Sequence, residues 1–127
     1  MVQKNIAEKT ESEDLALFVV WIPMFPGDSR AKATASMKLV PGKRARHYWD
    51  AEKIIGKDFS SSLELPQDRV PVAWDVYLAF DKGAVWKKTP PVSTQWMHQV
   101  SKLKANFDNI LDGEKLWSAV EALLLRD

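Results

Sequence analysis

The sequence predicts a mixed α/β fold, and three observations support this prediction. An uninterrupted apolar run, LALFVVWI, occupies residues 15–22 and ends at Pro23, which is typical of a strand buried on both faces of a sheet. Strand-like and helix-like segments then alternate along the chain, as in α/β proteins. The last segment carries apolar residues at helical spacing: Leu116, Val120, Leu123 and Leu124, with Trp117 widening that face.

Composition limits the chemistry more than it defines a function. The 127 residues suit one domain, and a net charge of +1 gives no reason to expect an acidic partner or nucleic acid. Because there is no cysteine, a disulfide framework, a thiolate nucleophile and a sulfur-ligated metal site are excluded. No apolar run is long enough to cross a membrane or to form a secretory signal. We therefore expect a cytoplasmic protein with no membrane partner and no cofactor.

The first half of the chain predicts a strand, a helix and a second strand. Residues 1–12 look like a disordered or frayed N-terminal tail, and residues 13–127 like a single domain. After the first strand, a rigid loop over 23–29 leads to a helix over 30–39, which Asp28 or Ser29 can cap. The segment KRARHYW, residues 43–49, predicts the second strand.

The second half predicts a hairpin and a closing helix. Asp50 can cap a short helix over 51–55, and residues 57–68 are typical of a loop. Strands are predicted over 70–80 and 84–88, joined by a turn at 81–83. Residues 93–110 fit either a helical stripe or an irregular segment. The closing helix is expected to begin at Asp112.

These elements, with their order β-α-β-α-β-β, resemble those of the thioredoxin-like fold. The segments VVWIPMFPGDS, RARHYWD and VAWDVYLAF are similar to those of uncharacterised bacterial thioredoxin-like proteins. The resemblance covers about residues 14–127. It implies a three-layer sandwich in which helices flank a mixed four-stranded sheet.

The same resemblance implies a ligand groove without the family's redox chemistry. In the redox family, two cysteines follow a tryptophan on the loop that opens the first helix, and a cis proline faces this loop. Here Trp21 and residues 23–28 hold that place without cysteine, and Pro71 matches the cis proline. We therefore expect a non-catalytic binding module with no thiol redox activity. Its expected ligand-binding residues are Trp21, Pro23, Phe25, Asp28, Pro71 and Trp74. The partner is an unknown protein or small molecule, and a homodimer is possible.

A second hypothesis is a small enzyme that uses a histidine. His47 or His98 could act as an acid or base with an aspartate such as Asp50 or Asp75, or both histidines could bind a metal with one carboxylate. The alternative is that the aspartates cap helices and the histidines are ordinary boundary residues. We favour the alternative and expect neither a catalytic residue nor a metal.

Two further patterns allow a functional and a structural interpretation. Trp49-Asp50 and Trp74-Asp75 could hold an arginine between their carboxylates, or could simply be core tryptophans beside polar residues. The cations between residues 30 and 46, followed by Tyr48 and Trp49, could bind nucleic acid. We favour the alternative, a solvated helix face and sheet edge, because acidic residues elsewhere balance the total charge.

Overall fold

A computed structural model describes residues 1–126. In chain order, its helices and strands are α1 Val2–Asn5, β1 Leu17–Trp21, α2 Arg30–Ser36, β2 Ala45–Trp49, α3 Ile54–Ser62, β3 Val76–Ala79, β4 Gln95–His98 and α4 Gly113–Leu124. Short 3-10 turns cover Ala7–Lys9, Met37–Leu39 and Ser101–Leu103. The mixed α/β class is therefore confirmed.

The strands form two separate sheets of two strands each. β1 and β2 are parallel, with Leu17 opposite Ala45, while β3 and β4 are antiparallel, with Val76 opposite His98. The parallel front pair and the antiparallel second pair agree with the predicted order of elements. Within residues 1–126 the four strands therefore do not form the expected single mixed sheet.

The first predicted strand is in place, but its surroundings differ from the expectation. Its burial on both faces is wrong, because Phe18 is 62% exposed. In a two-stranded sheet one edge of each strand is open, and Phe18 and Tyr48 are both exposed on one face of this sheet. The apolar run predicted the strand correctly, but its burial on both faces was predicted incorrectly.

The helix after β2 is longer and begins later than predicted. The Asp50 carboxylate accepts hydrogen bonds from the backbone N–H groups of Ile54, Ile55 and Gly56, so the helix starts at Ile54 instead of Ala51. Gly56 lies inside the helix and does not end it. The segment expected to be a loop after residue 57 is therefore helical as far as Ser62.

The predicted second hairpin arm over 84–88 is wrong. β3 pairs instead with Gln95–His98, across a connection of residues 80–94. Trp86, within the predicted arm, packs edge-on against Phe59 with ring centroids 5.4 Å apart. The early part of the predicted strand, residues 70–75, is irregular, and Asp75 has a left-handed φ of 52°.

Two apolar clusters form the core. One contains Leu65, Val70, Ala73, Val100 and Leu103, and the other contains Ile6, Met97 and Leu116. The expected frayed segment 1–12 thus contributes to the core, since Ile6 is only 3% exposed.

The predicted caps of two helices are confirmed. The Asp112 carboxylate accepts hydrogen bonds from the N–H groups of Glu114 and Lys115 at the start of α4. At α2 the Ser29 hydroxyl accepts from the N–H of Lys32. Each side chain satisfies backbone donors that the first helical turn leaves unpaired.

Candidate functional site

The carboxyl ends of β1 and β2 meet at one edge of the parallel sheet. Trp21 lies opposite Trp49 in the register, and the backbone N–H of Asp50 donates to the carbonyl of Trp21 at 2.9 Å. The loops that follow both strands therefore leave from the same place. In open α/β sheets, ligands bind in the crevice outside this edge.

The loop after β1 is organised by one carboxylate. Oδ2 of Asp28 accepts hydrogen bonds from the backbone N–H groups of Met24 and Phe25, at 2.9 and 2.8 Å. These bonds fix the direction of the loop between its two prolines. Asp28 therefore shapes the surface on which Phe25 is presented.

Phe25 joins this loop to the segment before β3. Its ring meets the ring of Trp74 edge-on, with centroids 5.6 Å apart and planes at 90°. This geometry is favourable for aromatic rings because the positive edge of one faces the negative face of the other. Two of the sequence-predicted site residues, 49 positions apart in the chain (74 − 25), are thus brought into contact.

The segment before β3 is held in place by α3. The N–H of Ala73 donates to the carbonyl of Gly56 at 2.8 Å. A β-carbon added at Gly56 would lie 2.5 Å from Val72 Cγ1, 2.6 Å from Ile22 Cδ1 and 3.0 Å from the Ala73 carbonyl oxygen. Glycine at position 56 therefore permits the close approach of α3 to both sides of the site.

Pro71 does not have the expected conformation. All peptide bonds among residues 1–126 are trans, so the cis Val70–Pro71 bond that the family resemblance implied is wrong. Pro71 is also exposed, whereas its neighbour Val72 is 8% exposed. Trp74, three positions further along, contacts the 23–28 loop through Phe25.

Trp21 is engaged by His47. Its indole Nε1 donates to Nδ1 of His47 at 3.0 Å, and the two rings stack with centroids 6.1 Å apart. The other imidazole nitrogen, Nε2, lies 3.0 Å from the carbonyl of Val40 and donates to it. This tautomer satisfies both nitrogens of His47.

His98 also uses both ring nitrogens in hydrogen bonds, and its side chain is fully buried. Its Nε2 donates to the carbonyl of Phe107 at 2.9 Å, while its Nδ1 accepts from the N–H of Val100 at 3.1 Å. Within residues 1–126, neither histidine makes a hydrogen bond or ion pair with a carboxylate. The histidine–aspartate pair that acid–base catalysis needs is therefore not formed.

The two Trp-Asp pairs hold no arginine. Asp50 caps α3, and Asp75 accepts a hydrogen bond from the Tyr77 hydroxyl at 2.8 Å. Burial raises the pKa of Tyr77 well above its usual value, and the hydrogen bond and charge of Asp75 raise it further. Sequence reasoning missed Tyr77, although a spacing of two residues in the predicted strand over 70–80 would have placed both side chains on one face. In the structure Asp75 lies just before β3, and its hydrogen bond to Tyr77 is made from outside the strand.

Some of the cations between residues 30 and 46 make contacts within the protein. The guanidinium of Arg44 donates to the carbonyls of Ala7 and Ser12, at 2.8 and 3.0 Å. Lys43 lies 3.8 Å from Glu13 in a fully exposed pair, which contributes little. Arg46 remains exposed on the sheet. No group of three potential metal-binding side chains comes together within the described part of the chain.

Two shallow depressions lie away from Phe25 and Trp74. One, of about 240 Å³, is bordered by Phe59, Leu63, Leu78 and Trp96. The other, of about 300 Å³, lies between the N-terminal segment and residues 41–44. Neither is lined by one of the sequence-predicted ligand-binding residues.

No protein-family model, curated protein or solved structure matches this chain. None of the helices within residues 1–126 is long and apolar enough to span a membrane.

Proposed function

We propose that this chain is a non-catalytic binding module whose partner, a protein or a small molecule, docks on Phe25 and Trp74. The single observation that carries the proposal is the edge-on contact between these rings, which joins the 23–28 loop to the segment before β3. Phe25 is 61% exposed, so most of its ring is available to a partner. We name this surface, formed by residues 23–28 and 72–74, the Phe25–Trp74 surface.

The 23–28 loop is already ordered before any partner binds, and this favours binding. Asp28 already holds the backbone of Met24 and Phe25, and α3 holds Ala73. A partner therefore loses little free energy in ordering these residues. Exposed aromatic rings on a rigid support are also the side chains that most often dominate binding energy.

The remaining chemistry supports binding over catalysis. The chain has no cysteine, and both histidines use both ring nitrogens inside the fold. We also keep a thioredoxin-like relationship as a proposal, supported by the parallel pair with its intervening helix and the antiparallel pair that follows. The trans Pro71 and the divided sheet are departures from that pattern.

The test is a selection with matched aromatic variants. A random phage-displayed peptide library and a fragment library would be screened against the full chain, with ¹⁵N NMR to locate the contacts. We expect the selected compounds to shift amide signals in residues 23–28 and 72–75. The variant Phe25→Ala should weaken their binding at least tenfold.

Phe18→Ala is the matched control, because Phe18 is exposed to the same degree, 62% against 61%, on another surface. Compounds that bind Phe25→Ala as tightly as the natural sequence would overturn the proposal. So would compounds that lose affinity equally in both variants, since this would indicate general hydrophobic adsorption.

A further inference from the structure

We infer that a second copy of this chain pairs along the open edge of β1, antiparallel and related by a two-fold axis, so that two parallel pairs become one four-stranded sheet. This inference goes beyond the Phe25–Trp74 surface and does not depend on it.

The first support is the set of backbone groups that β1 leaves unpaired. Leu17, Val19 and Trp21 direct their N–H and C=O groups to β2, as the 2.9 Å bonds from Leu17 N–H to Arg44 and from Asp50 N–H to Trp21 require. In a parallel ladder the alternate residues point the other way. Phe18 and Val20 thus present two donors and two acceptors to the open edge.

The second support is that this edge is unprotected. Edge strands are normally guarded by a charged residue, a proline or a bulge. Between Asp14 and Pro23 the sequence has no charged residue and no proline. β2, by contrast, carries the exposed Arg46. A parallel sheet of two strands with an exposed apolar face is also rare, because parallel sheets are almost always extended and covered.

A second copy fits this edge because the edge is complementary to itself. If Phe18 pairs with Val20 of the partner subunit, two-fold symmetry repeats the pair, and four backbone hydrogen bonds form. Val19 then lies on the axis opposite its own copy, and all five residues of β1 overlap. The exposed stack of Phe18 on Tyr48, with centroids 6.4 Å apart, would extend across the joined sheet.

Charge selects the antiparallel direction. The chain just before β1 is acidic, with exposed Glu11, Glu13 and Asp14. At the other end the ammonium of Lys32 lies against the loop after β1, 3.0 Å from the position of a β-carbon on Gly27. Antiparallel pairing places the acidic end of each copy beside this end of the other. The negative charge of Asp28, in the same loop, reduces the difference in charge between the two ends of β1, whereas the positive charge of Arg30 increases it.

The first test uses a single cysteine in a chain that has none. Val19→Cys would place two thiols at the axis, where Cα atoms of a non-hydrogen-bonded antiparallel pair are about 4.5 Å apart, within disulfide range. With oxidised glutathione as the oxidant, we expect covalent dimers at least ten times faster than for Tyr48→Cys, an exposed position on β2 that the proposed axis does not bring together. Equal rates would overturn the inference.

The second test measures association without a cross-link. Light scattering and sedimentation over a range of concentrations should show a dimer for the natural sequence. Phe18→Lys should weaken dimerisation at least tenfold with an unchanged circular dichroism spectrum, while Tyr48→Lys should weaken it less. A monomer at all concentrations, a dimer that Tyr48→Lys disrupts more than Phe18→Lys, or association only with a different protein would each overturn it.

Discussion

Gly56 offers the sharpest test of how α3 is joined to the candidate site. In an exposed helix interior, replacing glycine with alanine stabilises a protein by about 1 kcal/mol, because alanine loses less backbone entropy on folding. Position 56 is buried, and a β-carbon there would lie within 3.0 Å of atoms on three residues. We therefore predict that Gly56→Ala destabilises the fold.

The magnitude follows from which neighbours can move. Val72 and Ile22 meet the new methyl group with side-chain carbons that can rotate, although Val72 is only 8% exposed and has little free space. The Ala73 carbonyl belongs to the backbone, and the N–H of the same residue is bonded to Gly56. Overpacking usually costs about 1–3 kcal/mol and occasionally more, and with three close neighbours we expect about 2–4 kcal/mol at this site. After the helical gain is subtracted, the net loss is about 1–3 kcal/mol.

The assay is urea unfolding followed by the fluorescence of the six tryptophans. Lys57→Ala, at the next and exposed position of α3, is the control and should change the free energy of unfolding by less than about 0.5 kcal/mol. In thermal unfolding, Gly56→Ala should lower the midpoint by roughly 3–6 °C for each kcal/mol lost. If Gly56→Ala is as stable as the natural sequence, the close packing of α3 on residues 72–73 is wrong.

Three other predictions follow from single contacts. His98→Ala should lower the free energy of unfolding by about 3 kcal/mol, because it opens a cavity and leaves a buried N–H and a buried carbonyl unpaired. A loss of less than about 1 kcal/mol in urea unfolding would contradict this prediction. Asp50→Ala should cost about 2 kcal/mol by removing the acceptor for three N–H groups, and unchanged helix content and stability would argue against that role. Tyr77 has a raised pKa in the folded state, so its contribution to stability is present below its ordinary value of 10.0 and is lost as the pH rises above it. In an absorbance titration, Asp75→Asn should bring the pKa of Tyr77 down towards that value, and an unchanged titration would show that the contact is not made.

The local features of the chain were predictable because their signals lie within short segments. The apolar run at β1, the Ser29 cap of α2, the capping aspartate of α4 and its helical period each depend on residues a few positions apart. The absence of thiol chemistry also follows from the sequence, since no fold can supply a missing cysteine.

Phe25 and Trp74 were both named as ligand-binding residues, and the structure brings their rings into contact. The residue expected to face the 23–28 loop was Pro71, however, and the binding role of all these residues stays a prediction. The expectation for Pro71 failed because it came from a resemblance, and no residue near Pro71 required a cis bond. The engagement of Trp21 by His47 was not foreseen, because parallel pairing of β1 with β2 had to bring two residues 26 positions apart together.

Only the tertiary structure determined which strands pair and which polar side chains are engaged in internal hydrogen bonds. β3 could pair with any nearby extended segment. It pairs with residues 95–98, while Trp86 of the predicted arm over 84–88 packs on Phe59. The same holds for His47, whose availability for chemistry depends on the indole of Trp21, 26 positions away in the chain. Local sequence determines what a segment can form, whereas the pairing of segments depends on the competition for partners across the whole chain.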